Sequence, residues 1–77
     1  MNKILLVEIL SKREPELVRY FSNNLINEID EDLGNHIRNI LNDEFLETGM
    51  DDPNGVIINK RGKEIEELID YVGNLYM

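Results

Sequence analysis

The 77-residue chain contains no cysteine, so neither disulfides nor thiolate metal sites can staple it. At this length a hydrophobic core is close to the smallest that suffices alone. Stability must therefore come from packing between secondary elements. Long apolar runs are also missing: the longest, Ile4–Val7, ends at Glu8, which leaves no span for a bilayer. Lys3 precedes an apolar stretch too short for a signal peptide, and no small-residue cleavage site follows. The expected setting is cytoplasmic. Histidine occurs once, as His36, with no second His or Cys to complete a zinc site. A boundary or surface position is expected for it. Glycine-rich phosphate loops are absent, and Ser11 and Ser22 lack any nucleophile context. These gaps argue against an enzyme, a cofactor or a catalytic residue.

Positive charge is scarce as well. Eight Lys and Arg face sixteen Asp and Glu, a net charge of −8 with an isoelectric point near 4.4. Phosphate backbones repel such a chain, so no nucleic-acid partner is expected. The excess is uneven, at −2 over residues 1–40 and −6 over 41–77. Ten Asn and ten Ile point to AT-rich codons and a bacterial or phage source.

What is present reads as helices in one domain, 1–77. The run Lys3–Ser11 fits either a broadly buried helix or a short strand by periodicity. Its Leu and Glu favour a helix from about Asn2; the alternative is an α+β fold in which residues 3–10 pair with 55–59. Glu14-Pro15 marks a new start, since proline suits the first helical position. From there Leu17, Val18, Phe21, Leu25 and Ile29 form one stripe, predicting a helix over 15–29. Asp30, Glu31 and Asp32 suit the positive end of a third helix, 31–48. Its Leu33, Ile37, Ile40, Leu41 and Phe45 face inward, and Asn35, Arg38, Asn39 and Asn42 face water. Gly49 is expected to close it in a left-handed cap. Asp52, Pro53, Asn54 and Gly55 are turn chemistry, and Val56-Ile57-Ile58 is too apolar for water, so a hook packing across the helices is expected. Asn59 caps a final helix, 60–76, with Ile65, Leu68, Ile69, Val72, Leu75 and Tyr76 as its apolar stripe. The fold class is all-α, a small compact bundle of three to four helices.

Helix, loop, helix with Asp52, Asn54, Gly55 and Ile57 mimics part of a calcium loop. Met50 and Arg61 then occupy the two end-ligand positions, so no metal is expected and a plain Asn-Gly turn is. Glu44 falls inside the apolar arc of its helix. Either it accepts backbone N–H bonds from the 54–58 hook, or the helix end is exposed and the carboxylate reaches water. The acidic set Asp43, Glu47, Asp51, Asp52, Glu64, Glu67 and Asp70 is the candidate docking surface for a basic protein, against the plainer reading of solubilising charge. Tyr71 is its candidate aromatic anchor.

Small size, acidity and helix order make residues 15–76 similar in plan to colicin-type nuclease immunity proteins. Those are four-helix domains that neutralise a basic nuclease through an acidic face. Asp52-Pro53-Asn54-Gly55 sits where that family has its own turn, while Val56-Ile57-Ile58-Asn59 replaces its paired tyrosines. The resemblance implies an immunity- or antitoxin-type inhibitor, and no functional residue is carried across. The alternative is a self-associating structural or regulatory module, a homodimer burying Ile4–Leu10 and the Leu75-Tyr76-Met77 end.

Overall fold

The computed structural model describes residues 2–21, 29–51 and 57–76. They form an all-α bundle in which α1 spans Lys3–Arg13, α2 spans Glu31–Thr48 and α3 spans Lys60–Asn74, with a 3-10 helix over Pro15–Tyr20. Turn residues Asp52, Pro53, Asn54 and Gly55 lie outside the described residues, as do Val56, Leu25 and Met77.

Helix α1 starts where Asn2 accepts the N–H of Leu5 at 3.0 Å. That satisfies a donor with no partner inside the helix. Lys12 and Arg13 fill its last turn, where cations complement the helix dipole. Leu5, Leu6, Ile9 and Leu10 are buried. Residues 3–10 are thus helical, and the alternative pairing with 55–59 does not form. Residues 57 and 58 lie instead beside the end of α2, where Met50 and Ile58 make an isolated antiparallel bridge.

The helix expected over 15–29 is corrected. Pro15 does open a new element, but it is wound with three-residue bonds, Leu17 N–H to Glu14 and Phe21 N–H to Val18. Leu17 and Phe21 still reach the core. Residues 22–28 lie outside the described set. Ile29 is not helical: its N–H donates to the Leu75 carbonyl at 3.3 Å. Asp30 must then be extended, because it caps α2 by accepting the N–H of Leu33 at 2.7 Å.

Helices α2 and α3 run antiparallel, fixed at both ends by glycine. At one end the Tyr76 ring lies on Gly34, where a Cβ would overlap it. At the other, Gly49 and Gly62 bring the helix backbones together. A Cβ on Gly62 would run into the Gly49 carbonyl oxygen and stand 2.7 Å from the Ile58 Cγ2. Gly49 is consequently not the expected left-handed cap; its φ of −89° and ψ of −3° are right-handed. It is needed for clearance, since a Cβ there would lie 2.7 Å from the Phe45 carbonyl oxygen. Its own carbonyl accepts the Asn59 N–H at 3.0 Å.

Asn59 caps α3 as expected, accepting the Gly62 N–H at 2.8 Å, and its amide also donates to Thr48 and Asp51. The α3 stripe buries Ile65, Leu68 and Val72 against Ile37 and Leu41 of α2. The expected hook is corrected: Ile57 is 56% and Ile58 37% exposed. The Met50–Ile58 bridge holds this short segment beside the helix end, without laying it across the bundle.

Gly62→Ala tests the close approach of the backbones. Helix propensity alone favours alanine by about 1 kcal/mol, but the new Cβ meets a carbonyl that cannot rotate away. A net loss of about 1–3 kcal/mol is expected, read as a lower urea midpoint at unchanged slope. A midpoint equal to or above wild type would reject the approach as described.

Candidate functional site

Glu44 is completely buried. A carboxylate there must find donors or lose its charge. It finds cations from two other helices. Arg13 Nε of α1 donates to Oε1 at 2.8 Å, with Lys12 Nζ at 3.3 Å from the same oxygen. Arg61 Nη2 of α3 reaches Oε2 at 3.1 Å, beside the Thr48 hydroxyl at 2.9 Å. The cluster extends outward, as Arg13 Nη2 binds Glu47 at 2.6 Å and Arg61 Nη2 lies 3.5 Å from Glu8. Three cations and three carboxylates thus join all three α-helices.

The expectation for Glu44 is corrected in its partners. It takes no bond from the hook residues 57 and 58 and does not reach water; side-chain cations hold it. Burial pushes its carboxyl pKa upward, but hydrogen bonds from Arg13, Thr48, Arg61 and Lys12 together outweigh that and hold it at about 2, against 4.5 ordinarily. Hydrogen bonding to Glu44 likewise raises the Arg13 pKa against its own desolvation. The missed residues, Lys12, Arg13 and Arg61, had one local signal. Arg61 stands in the first turn of α3, with no acid there, where the dipole disfavours a cation. The tertiary ion pairs offset that misfit.

The candidate docking residues divide accordingly. Glu47 belongs to the Arg13 end of α1, while Glu64 accepts from Asn2 at the opposite end at 3.4 Å. The rise of α1 separates these ends by about 15 Å, so the set is not one continuous face. Asp43 and Asp51 are exposed, and Asp51 accepts the Asn59 amide. Asp52 lies outside the described residues. Glu64, Glu67 and Asp70 follow at three-residue steps along α3, with Glu67 and Asp70 exposed and Glu64 half-buried. Tyr71 is half-buried against the core.

His36 is exposed with Nε2 3.1 Å from Glu14, in keeping with a boundary position. Arg38 departs from the wet face assigned to it. It is half-buried, and its Nη1 donates to the Tyr76 hydroxyl at 2.9 Å. No described helix is long and apolar enough to cross a membrane. Comparison of the chain with protein-family models, curated proteins and solved structures finds no match in any of the three.

The depressed Glu44 pKa fixes the sign of a pH effect. Because the folded value lies below the unfolded one, the stabilisation is fully present above about pH 4.5 and is lost as pH falls towards 2. The shift corresponds to roughly 3 kcal/mol. Glu44→Gln should be destabilised by a comparable amount at pH 7, and the gap from wild type should close as pH falls through that window. A gap that persists unchanged at pH 2.5 in urea titrations would sink the assignment.

Proposed function

We propose that the protein is a non-catalytic acidic binding protein whose α3 outer stripe meets a basic protein partner. The observation that supports this most is the division of the carboxylates. Lys12, Arg13 and Arg61 are consumed by Glu44, Glu47 and Glu8. Among the described residues, no ion pair within 4 Å reaches Glu64, Glu67 or Asp70. The stripe therefore presents carboxylates without a close ion pair among the described residues, and such charge speeds encounter with a basic surface and sets its orientation. Tyr71, seated beside it with part of its surface open, is suited to serve as an anchor. Inhibition of a basic toxin or a nucleic-acid-binding protein is the form of this activity that the likeness to nuclease immunity proteins suggests.

Self-association is the weaker reading. The α1 residues Leu5, Leu6, Ile9 and Leu10 are buried inside the chain, leaving Ile4 exposed, and Tyr76 packs on Gly34. Light scattering at micromolar concentration should give a monomer.

The docking reading is tested with a basic partner captured from the protein's own host, purified, and titrated against wild type and Glu64→Lys/Glu67→Lys/Asp70→Lys. Wild-type affinity should fall with added salt, and the triple variant should bind at least about tenfold more weakly. Equal affinity for the two proteins would remove the α3 stripe from the interface.

A further inference from the structure

Ile4 is the most exposed large apolar side chain among the described residues, at 82%. It stands in the first turn of α1 beside the buried Leu5 and Leu6, and packing of the bundle gives it no role. A lone exposed apolar side chain needs no explanation. Ile4, however, is where two grooves meet. On one side Ile4, Val7 and Phe21 line an apolar groove of about 370 Å³; Ile4 and Val7 are three residues apart and share a face of α1. On the other, Ile4 borders a groove of about 560 Å³ that takes in Glu64 and Glu67 of α3. Lys3 lines both.

The fold leaves the two carboxylates of the second groove largely unused. Among the described residues Glu64 accepts only the Asn2 amide, at 3.4 Å, and no hydrogen bond or ion pair reaches Glu67. Two carboxylates against one ammonium leave that groove negative.

Charge and apolarity together select the occupant. A chain of net charge −8 is repelled by phosphate backbones and by anionic lipid surfaces. A second copy docked with the usual two-fold symmetry would set Glu64 and Glu67 beside the same residues of its partner, a like-charge contact that disfavours it. What fits is a peptide segment carrying a cation beside an apolar side chain. We infer that the double groove receives such a basic amphipathic segment of a protein partner. Its apolar side chain seats against Ile4, Val7 and Phe21, and its Lys or Arg reaches Glu64 and Glu67. The inference rests on the proposed docking of a basic protein at α3 and deepens it: it names the recognition element and extends the interface onto the start of α1. Lys3 opposes the incoming cation, so the apolar contact is needed beside the charge.

The test titrates the intact protein with acetyl-Lys-Leu-Leu-Lys-amide, with acetyl-Lys-Ala-Ala-Lys-amide to supply charge alone, and with acetyl-Gln-Leu-Leu-Gln-amide to supply apolar surface alone. The Ile4 δ1 methyl and the Glu67 side-chain carboxyl carbon are followed by NMR. The first peptide should shift both signals saturably with a dissociation constant of about 1 mM or tighter. The other two should each bind at least about tenfold more weakly. No saturation by the first peptide up to about 10 mM, or equal binding of the apolar one, would overturn the proposal. Equal binding of the alanine peptide would also overturn it, but if Glu64→Lys/Glu67→Lys/Asp70→Lys still weakened that binding the α3 stripe would stand as a docking face. Ile4→Ser, at an exposed position, should weaken the first peptide at least about fivefold and leave the alanine peptide as it was. Unchanged affinity for the first peptide removes the apolar seat.

Discussion

One buried carboxylate ties this bundle together. Glu44 lies where α1, α2 and α3 converge, and its two oxygens are divided between them. Oε1 faces Arg13 and Lys12; Oε2 faces Arg61 and Thr48. A chain without cysteine and with a small core has few other ways to fix α1 against the α2–α3 hairpin. The apolar contacts of Leu6, Ile9 and Leu10 supply attraction without direction. The ion cluster supplies direction, because a desolvated carboxylate is tolerated in only the one arrangement that satisfies it.

The same cluster decides what the surface is. Three of the eight basic residues turn towards Glu44: Arg13 and Arg61 half-buried, and Lys12 from an exposed position. The acidic residues then separate into two kinds. Glu44 and Glu47 hold α1 through its basic last turn, while Glu64, Glu67 and Asp70 on α3 have no ion pair within 4 Å among the described residues. Arg38 shows the converse. It is half-buried with Nη1 on the Tyr76 hydroxyl, and no carboxylate lies within 4 Å of it among the described residues.

What could be read in the sequence was whatever is encoded within one helical turn or along one face. Asn59 was legible as a cap because the cap and its N–H lie three residues apart; Asn2 and Asp30 cap in the same way, where only the helix starts beside them were read. The stripes of α2 and α3 were legible for the same reason, and so was the place of Glu44 inside the apolar arc, although burial and exposure to water were both open for it. Its partners were not: Arg13 is 31 residues away and Arg61 is 17. Their only local trace is a basic first turn on α3. The glycines carried a second overlooked signal. Gly34 and Gly62 sit inside helical patterns at a cost in propensity, and that cost marks the places where a ring and a backbone come close. The 3-10 winding after Pro15 had no such trace, since Leu17 and Phe21 are buried in either winding. Of the candidate docking set, position on α3 was legible, but its separation from Glu47 depends on how α1 lies.

The central claim is that Glu44 is ionised inside the bundle because three cations from α1 and α3 surround it. Its side-chain carboxyl carbon, followed by NMR as acid is added to the folded protein, reports this directly. The account requires a midpoint near 2, well under the ordinary 4.5. A midpoint at or above 4.5 would mean that burial outweighs the cations, and the arrangement described here would be wrong.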